Sequence, residues 1–255
     1  MNHIKLIACD LDGTLLQPGQ TEIAPAVFEQ IRRLKEKGIY FCPASGRQYS
    51  SLRKLFAPVA DGVPFLCENG AVIFDAGKVI SKTVIERDTA MRLIHHILSH
   101  EDCRVLISGE NISYLVTDDR EYIRHVRDDI GNRIALVEKP EDIAEDIIKI
   151  SLFCRKGPKK YQAEFEEAWG DTFSVVVAGE TWLDMTVADK GVGVRALAEK
   201  FGVSLSDVMA IGDNYNDLPI LTVVGHPYIM ENAVDELKDR FPNKCRRVED
   251  TLAAL

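Results

Sequence analysis

Short apolar runs and amphipathic segments alternate along the first third of the chain. An apolar run at 5–9 precedes helical spacing over 25–38, and further apolar runs lie within 39–47 and 63–80. Apolar residues that recur every three to four positions predict a helix, whereas short unbroken apolar runs are typical of buried strands. This order of strands and helices predicts an α/β fold with a doubly wound, parallel, Rossmann-like sheet.

The middle of the chain has a different order of strand-like and helical patterns. Between 82 and 183, consecutive strand-like runs alternate with helical patterns, which predicts an α+β unit. From 184 onward, single strands and helices alternate again. We therefore predict a catalytic core formed by 1–81 and 184–255, interrupted by an inserted domain at 82–183. The helical patterns inside the insertion cover 88–99, 119–128 and 159–168.

Composition narrows the class of protein. The 255 residues are 46% hydrophobic and 28% charged, which is typical of a globular chain that forms one large or two modest domains. The net charge of −9 argues against nucleic acid or an anionic membrane as the main partner, because both attract a basic surface. No apolar run approaches the ~18 residues of a membrane span, and the six cysteines are scattered without a C-x-x-C pair. We therefore expect a cytoplasmic protein with reduced thiols, present as a monomer or weak homodimer.

Polar residues follow three of the apolar runs. Asp10 and Asp12 come after the first run, Ser45 after the second, and Asp213 after a later run at 208–212. The carboxyl ends of parallel strands meet at one edge of a sheet, so these side chains should converge. Crowded carboxylates resist ionisation unless a cation lies among them, and Mg²⁺ accepts carboxylate ligands while it shares its other positions with phosphate oxygens. The sequence therefore predicts a magnesium and phosphate site.

Other metal sites compete with this interpretation. DLDGT could open a calcium loop, but an EF-hand needs its glycine at the sixth position, and Gly13 is only the fourth. His96 and His100 have i, i+4 spacing on a predicted helix and could bind zinc, although the sequence offers neither an H-E-x-x-H pattern nor an evident third ligand. A solvated helix face is the alternative for these histidines.

Four motifs, taken in order, resemble those of the haloacid dehalogenase superfamily. They are DLDGT at 10–14, ASGR at 44–47, the lysine of ADKG at 190, and GDNYND at 212–217. The long insertion and CENGA at 67–71 resemble the Cof-like phosphatases of class IIB, which carry a C2-type cap domain. Two stretches depart from the family pattern: DMTVADKG lacks a proline and a glycine, and VGHPYIMENA contains an unusual His226. Neither departure removes a catalytic group.

The resemblance implies a role for each motif residue. Asp10 would be the nucleophile and a Mg²⁺ ligand, and Asp12 would be the general acid and base, with its backbone carbonyl on Mg²⁺. Asp213 would complete the metal ligands, and Asp217 would orient bound water or Lys190. The phosphate oxygens would be held by Ser45, Gly46, Lys190 and Asn216. Arg47 and Asn69 would either meet the substrate or bridge strand ends.

These roles imply Mg²⁺-dependent hydrolysis of a small phosphate monoester, such as a sugar phosphate, through an aspartyl-phosphate intermediate. The partner would be a small phosphorylated metabolite, with no nucleic acid and no membrane involved. Two alternatives remain open. A phosphomutase of the same superfamily would use Asp10 in the same way, and a non-catalytic protein could bind a phosphorylated ligand at the same acidic cluster.

Overall fold

The computed structural model describes residues 4–255, which form two compact units. One unit comprises the chain up to Ser81 together with Asp189–Leu255, and the other is Lys82–Ala188. The second change of unit falls at Asp189 rather than at the predicted 184. The reason is that the strand Trp182–Thr186 pairs with two strands of the inserted unit and therefore belongs to its sheet.

The elements follow one another in the order that the patterns predict. The strands are β1 (Leu6–Cys9), β2 (Tyr40–Pro43), β3 (Phe65–Cys67), β4 (Val72–Asp75), β5 (Lys78–Lys82), β6 (Arg104–Ser108), β7 (Ser113–Leu115), β8 (Ile134–Leu136), β9 (Lys149–Phe153), β10 (Ser174–Ala178), β11 (Trp182–Thr186), β12 (Val208–Gly212), β13 (His226–Met230) and β14 (Asn243–Cys245). The α-helices are α1 (Pro25–Glu36), α2 (Tyr49–Leu55), α3 (Arg87–Leu98), α4 (Arg120–Arg124), α5 (Lys159–Trp169), α6 (Lys190–Phe201), α7 (Leu218–Val223), α8 (Asp235–Arg240) and α9 (Val248–Ala253).

The first unit is built on a parallel sheet with strand order β14-β13-β12-β1-β2. Every residue of β1 and β12 is buried, as a central strand covered on both faces requires. Cys9, the last residue of β1, is paired with Ile211 on one side and Pro43 on the other. Strands β12, β1 and β2 therefore end within one residue of the same level, and the predicted parallel sheet is confirmed.

One predicted strand pairs differently. The apolar run within 63–80 is predicted to contribute a third strand to the parallel sheet, but its first strand, β3, pairs antiparallel with β4 in a separate three-stranded sheet that includes β5. A single bridge between Ala44 and Leu66 links it to the end of β2. The Ser45 N–H also donates to the Leu66 carbonyl oxygen at 3.0 Å, so β3 is held both by its hairpin partner and by the segment that follows β2.

Helices α1 and α6 bury the faces that their spacing predicts. Val27, Phe28, Ile31 and Leu34 are buried in α1. On α6, Val194, Leu197 and Ala198 join the core formed with the parallel sheet.

The inserted unit is an α+β domain, as predicted. Its six-stranded sheet has the order β10-β11-β9-β6-β7-β8, and only β7 and β8 are parallel. Helices α3 and α5 cover one face, where Leu93 and Phe165 pack into a cluster with Ile150 and Leu183. The helix predicted at 119–128 is divided between α4 and a π-helical turn, His125–Asp129.

All six cysteines are free and buried, which agrees with the expectation of reduced thiols. Within residues 4–255, no helix combines the length and the apolar character needed to cross a membrane.

Gly193 allows α6 to lie close to the backbone of the first unit. A Cβ atom at this position would lie 2.8 Å from the Gly70 Cα atom and 2.8 Å from a Leu66 methyl carbon. In a free helix, alanine is favoured over glycine by about 1 kcal/mol. Here we expect Gly193→Ala to lower the free energy of unfolding by about 1–3 kcal/mol in urea titrations, because the clash exceeds the gain in helix propensity.

Arg195→Ala and Arg195→Gly, at an exposed position of the same helix, are the matched control pair, and their difference in stability measures helix propensity. A Gly193→Ala variant more stable than the wild type would contradict the close approach.

Candidate active site

The carboxyl ends of β1 and β12 bring the predicted acids together. Asp10 follows β1 directly, and its backbone N–H donates to the Ile211 carbonyl oxygen at 2.9 Å, which continues the ladder one residue beyond the strand. Asp213 follows β12 directly. The side chain of Asp10 is almost fully buried, whereas that of Asp213 is half-buried.

A fully buried lysine lies between two of the carboxylates. The Lys190 ammonium nitrogen is 2.5 Å from Asp10 Oδ1 and 2.6 Å from Asp217 Oδ1. Lys190 is the first residue of α6, where Asp189 caps the helix by accepting from the Val192 N–H at 2.8 Å. The helix start thus fixes the backbone from which the lysine reaches the sheet edge.

Asp217 organises the loop that follows β12. Its second oxygen accepts from the backbone N–H groups of Asp213 at 3.0 Å and Asn214 at 3.1 Å. Asp213 Oδ1 in turn accepts from the Thr14 hydroxyl at 2.9 Å. Both carboxylates are therefore held in place by neighbours from two separate loops.

Oxygen atoms of Asp10, Asp213 and Asp217 lie within 4.8 Å of one another. Burial raises the pKa of Asp10 well above its usual range, and the negative charge of Asp217 is the next largest cause. Burial and the same neighbour also raise the pKa of Asp213. Burial opposes the charge on Lys190, but Asp10 and Asp217 outweigh this effect, and the pKa of the lysine is raised.

This cluster fits a small divalent cation. One ammonium group cannot balance three ionised carboxylates, so further positive charge is needed before all three ionise together. The ligand atoms on offer are carboxylate oxygens, which Mg²⁺ prefers. Of the predicted ligands, Asp10 and Asp213 belong to the cluster. Asp12 is predicted to contribute its backbone carbonyl, and its carboxylate lies outside the cluster.

The predicted phosphate ligands lie on neighbouring loops. Ser45 is buried, and its hydroxyl oxygen accepts from the Arg47 N–H at 3.2 Å. Gly46 follows, half-buried, and a Cβ at this position would lie 3.0 Å from the Asn69 side chain. Asn216 is half-buried beside Asp217, and its side chain makes no hydrogen bond within residues 4–255.

A backbone donor at the same edge was not predicted as a separate feature. Leu11 is fully buried, yet its N–H group has no acceptor among the described residues. Buried N–H groups are rarely left without a partner. An oxygen of a bound anion beside Asp10 would supply one.

Asp12 lies apart from the acidic cluster. Its side chain is 55% exposed, compared with 7% for Asp10. The Arg47 guanidinium donates two hydrogen bonds to the Asp12 carboxylate, from Nε at 3.0 Å and from Nη2 at 2.6 Å. The sequence alone leaves the role of Arg47 open, because this pairing depends on how the loops after β1 and β2 meet.

The match to known proteins agrees with this geometry. A family model described as haloacid dehalogenase-like hydrolase matches residues 7–250. The chain belongs to this family. Its members' fold and enzyme class therefore apply, and the predicted superfamily, the Cof-like class, the α/β fold with an inserted domain and the phosphatase class of enzyme are confirmed.

Named relatives cover nearly the whole chain. YbjI of Escherichia coli, a 5-amino-6-(5-phospho-D-ribitylamino)uracil phosphatase, is 28% identical over 233 residues, which span 90% of this chain and 86% of the relative. YwtE of Bacillus subtilis, named for the same activity, is 27% identical over 265 residues, with 93% and 91% covered. A crystal structure from Eubacterium rectale superposes with a TM-score of 0.86 at 27% identity and covers 99% of each chain.

The histidine cluster of this hydrolase gains a third group in the structure, but both ring nitrogens of His96 are engaged. Glu164 Oε1 lies 3.0 Å from His96 Nε2 and 3.1 Å from His100 Nε2. The indole N–H of Trp169 donates to His96 Nδ1 at 2.9 Å. A neutral His96 must then carry its proton on Nε2, where it donates to Glu164. This hydrogen-bond network favours a structural role over zinc binding.

Removing the buried ammonium should destabilise the first unit. Lys190→Met keeps the length of the side chain but leaves Asp10 and Asp217 without their common partner. We expect the free energy of unfolding in urea to fall by about 3–5 kcal/mol. The loss should shrink as pH falls, because a protonated Asp10 no longer needs a cation.

Lys200→Met is the control, since Lys200 is an exposed residue of the same helix. It should change stability by less than about 0.5 kcal/mol. Equal stability of the Lys190→Met variant and the wild type would mean that the ammonium does not compensate the buried acids.

Proposed function

We propose that this protein hydrolyses a small-molecule phosphate monoester in a Mg²⁺-dependent reaction, through a phosphorylated Asp10. The observation that carries the proposal is the buried contact of Lys190 with Asp10 and Asp217, next to Asp213, at the carboxyl edge of the parallel sheet. A buried nucleophilic carboxylate, a fixed cation and a cation-binding cluster are the groups that phosphoryl transfer needs.

Asp10 would act as the nucleophile. One oxygen of its carboxylate is held by Lys190, so its orientation is fixed before the substrate arrives. Attack on phosphorus forms an oxygen–phosphorus bond to Asp10, while the bond to the substrate oxygen breaks. Water then attacks the aspartyl phosphate, releases inorganic phosphate and restores the free carboxylate.

Fixed donors would receive the phosphoryl oxygens. Lys190 supplies a buried positive charge, and Ser45 supplies a hydroxyl from the loop after β2. The unpartnered N–H of Leu11 lies on the residue directly after the nucleophile. Preorganised donors of this kind stabilise the charge that develops on the equatorial oxygens. Gly46 and Asn216 would complete the pocket.

Asp12 would transfer the protons. It would protonate the departing oxygen in the first step and take a proton from water in the second, so one carboxylate can serve both steps. To do so it must leave its pair with Arg47, because both of its oxygens are engaged there.

Mg²⁺, held by Asp10, Asp213 and the Asp12 backbone carbonyl, would supply Lewis-acid charge that reduces repulsion between the nucleophile and the phosphate. Asp217 would keep Lys190 and the Asp213 loop in position.

The relatives guide the choice of substrate class. YbjI and YwtE are named for a substrate whose phosphate lies on a ribityl chain. We propose a phosphate ester of a sugar or polyol chain as the substrate of this protein.

The decisive experiment measures phosphate release from a panel of sugar, polyol, nucleotide and vitamin phosphates with Mg²⁺. We expect turnover of at least one sugar or polyol phosphate, and a fall in kcat of about a thousandfold or more for Asp10→Asn. Asp235→Asn alters an exposed acid of α8 and should retain activity.

Isomerisation of a sugar phosphate without release would instead indicate a phosphomutase. Tight binding without turnover would indicate a non-catalytic receptor. Either result, or full activity of Asp10→Asn, would refute the proposed hydrolysis.

Gly13 offers a separate test of the metal site. Its φ is +93°, and a Cβ there would lie 2.2 Å from Asp213 Oδ2. Gly13→Ala should displace the Asp213 carboxylate and weaken Mg²⁺ binding, measured by calorimetry, by about tenfold or more.

Gly19→Ala is the matched control. Gly19 has a similar φ of +83°, but no atom lies within 4 Å of a Cβ at this position. Both variants carry the same kind of backbone strain, and only Gly13→Ala should lose metal affinity. An equal loss in both would assign the effect to strain alone.

A further inference from the structure

Arg47 and Asp12 form a bidentate ion pair, and Asp12 must leave this pair before it can take part in the proposed reaction. The guanidinium donates from Nε to Asp12 Oδ2 and from Nη2 to Asp12 Oδ1. This planar fork engages both carboxylate oxygens. The side chain proposed to meet the leaving oxygen and the attacking water is thus occupied by another residue of the same sheet edge.

The backbone of Arg47 belongs to the proposed phosphate loop. Its N–H donates to the Ser45 hydroxyl at 3.2 Å, and its carbonyl accepts from the Glu68 N–H at 3.2 Å. The backbone of Arg47 is therefore held in place beside Ser45. Only the side chain has to move for Arg47 to change partners.

Because the pair is exposed to solvent, the exchange of partners costs little free energy. The Arg47 side chain is 33% exposed and the Asp12 side chain 55%. Ion pairs in contact with solvent contribute little to stability, even though their geometry can be well defined. A phosphate group offers the same fork two oxygens and a larger negative charge.

We propose that Arg47 is a further phosphate-binding residue and that Asp12 occupies its guanidinium until a phosphate group displaces it. Substrate binding then frees the Asp12 carboxylate to approach the leaving oxygen and the attacking water. This inference rests on the proposed function, because it takes the phosphate site to lie between Asp10 and the Ser45 loop.

A double-mutant cycle tests this competition. Inorganic phosphate is titrated calorimetrically, with Mg²⁺ present, into the wild type, Asp12→Asn, Arg47→Gln and the double variant. Arg47→Gln should weaken phosphate binding, and Asp12→Asn should strengthen it. The gain from Asp12→Asn should be about three- to fivefold larger when Arg47 is present than when it is replaced. The charge change of Asp12→Asn is common to both backgrounds and cancels in the cycle.

Two further variants separate this role from a structural one. Arg47→Lys keeps the charge but cannot form the fork, so its phosphate affinity should lie between those of the wild type and Arg47→Gln. Arg53→Gln disrupts an exposed pair with Asp61, where the guanidinium lies 2.6 Å from Asp61 Oδ1. Arg53→Gln should leave phosphate affinity unchanged.

Additive effects in the cycle would overturn the inference and make Arg47 a bridge between two loops. If the wild type hydrolyses a phosphate ester while the cycle is additive, the proposed function stands and only the role of Arg47 fails. If no phosphate ester is turned over and phosphate does not bind, both fail.

Discussion

The buried contact of Lys190 with Asp10 and Asp217 is the interaction on which the candidate active site depends. A lysine with no exposed surface is costly unless carboxylates surround it, and carboxylates in the same pocket are costly without a cation. The three groups come from the end of β1, the start of α6 and the loop after β12. Each makes the burial of the others tolerable, so the ion pair also ties these three segments together.

The parallel sheet explains why these segments meet. Cys9 is paired with Ile211 and Pro43, so β1, β12 and β2 end within one residue of the same level. The polar residues that follow each strand then share an edge. Asp213 is held there by Thr14, and Asp217 is held by its own loop through two backbone N–H groups. The acids are positioned by backbone and hydroxyl donors before any substrate binds.

The remaining negative charge at this edge gives the site its chemistry. One ammonium leaves the cluster short of positive charge, and burial raises the pKa of Asp10 and of Asp213. A divalent cation would relieve both effects and leave Asp10 ionised as a nucleophile. Asp12, in contrast, is exposed and paired with Arg47, so the two acids of the first motif have separate environments although only one residue lies between them.

The sequence by itself determined the order of elements, the α/β class, the insertion and most of the polar residues at the sheet edge. The periodicity of apolar residues and the acids at strand ends are local features, which are visible in the sequence itself. Tertiary structure decided the boundary at Asp189, because pairing with other strands of the inserted unit places strand Trp182–Thr186 in that unit's sheet. It also decided that β3 pairs with β4 in a hairpin, and that the Asp217 carboxylate lies beside those of Asp10 and Asp213 while the Asp12 side chain pairs with Arg47. Such choices depend on which loops approach one another, and distance along the chain does not encode that approach.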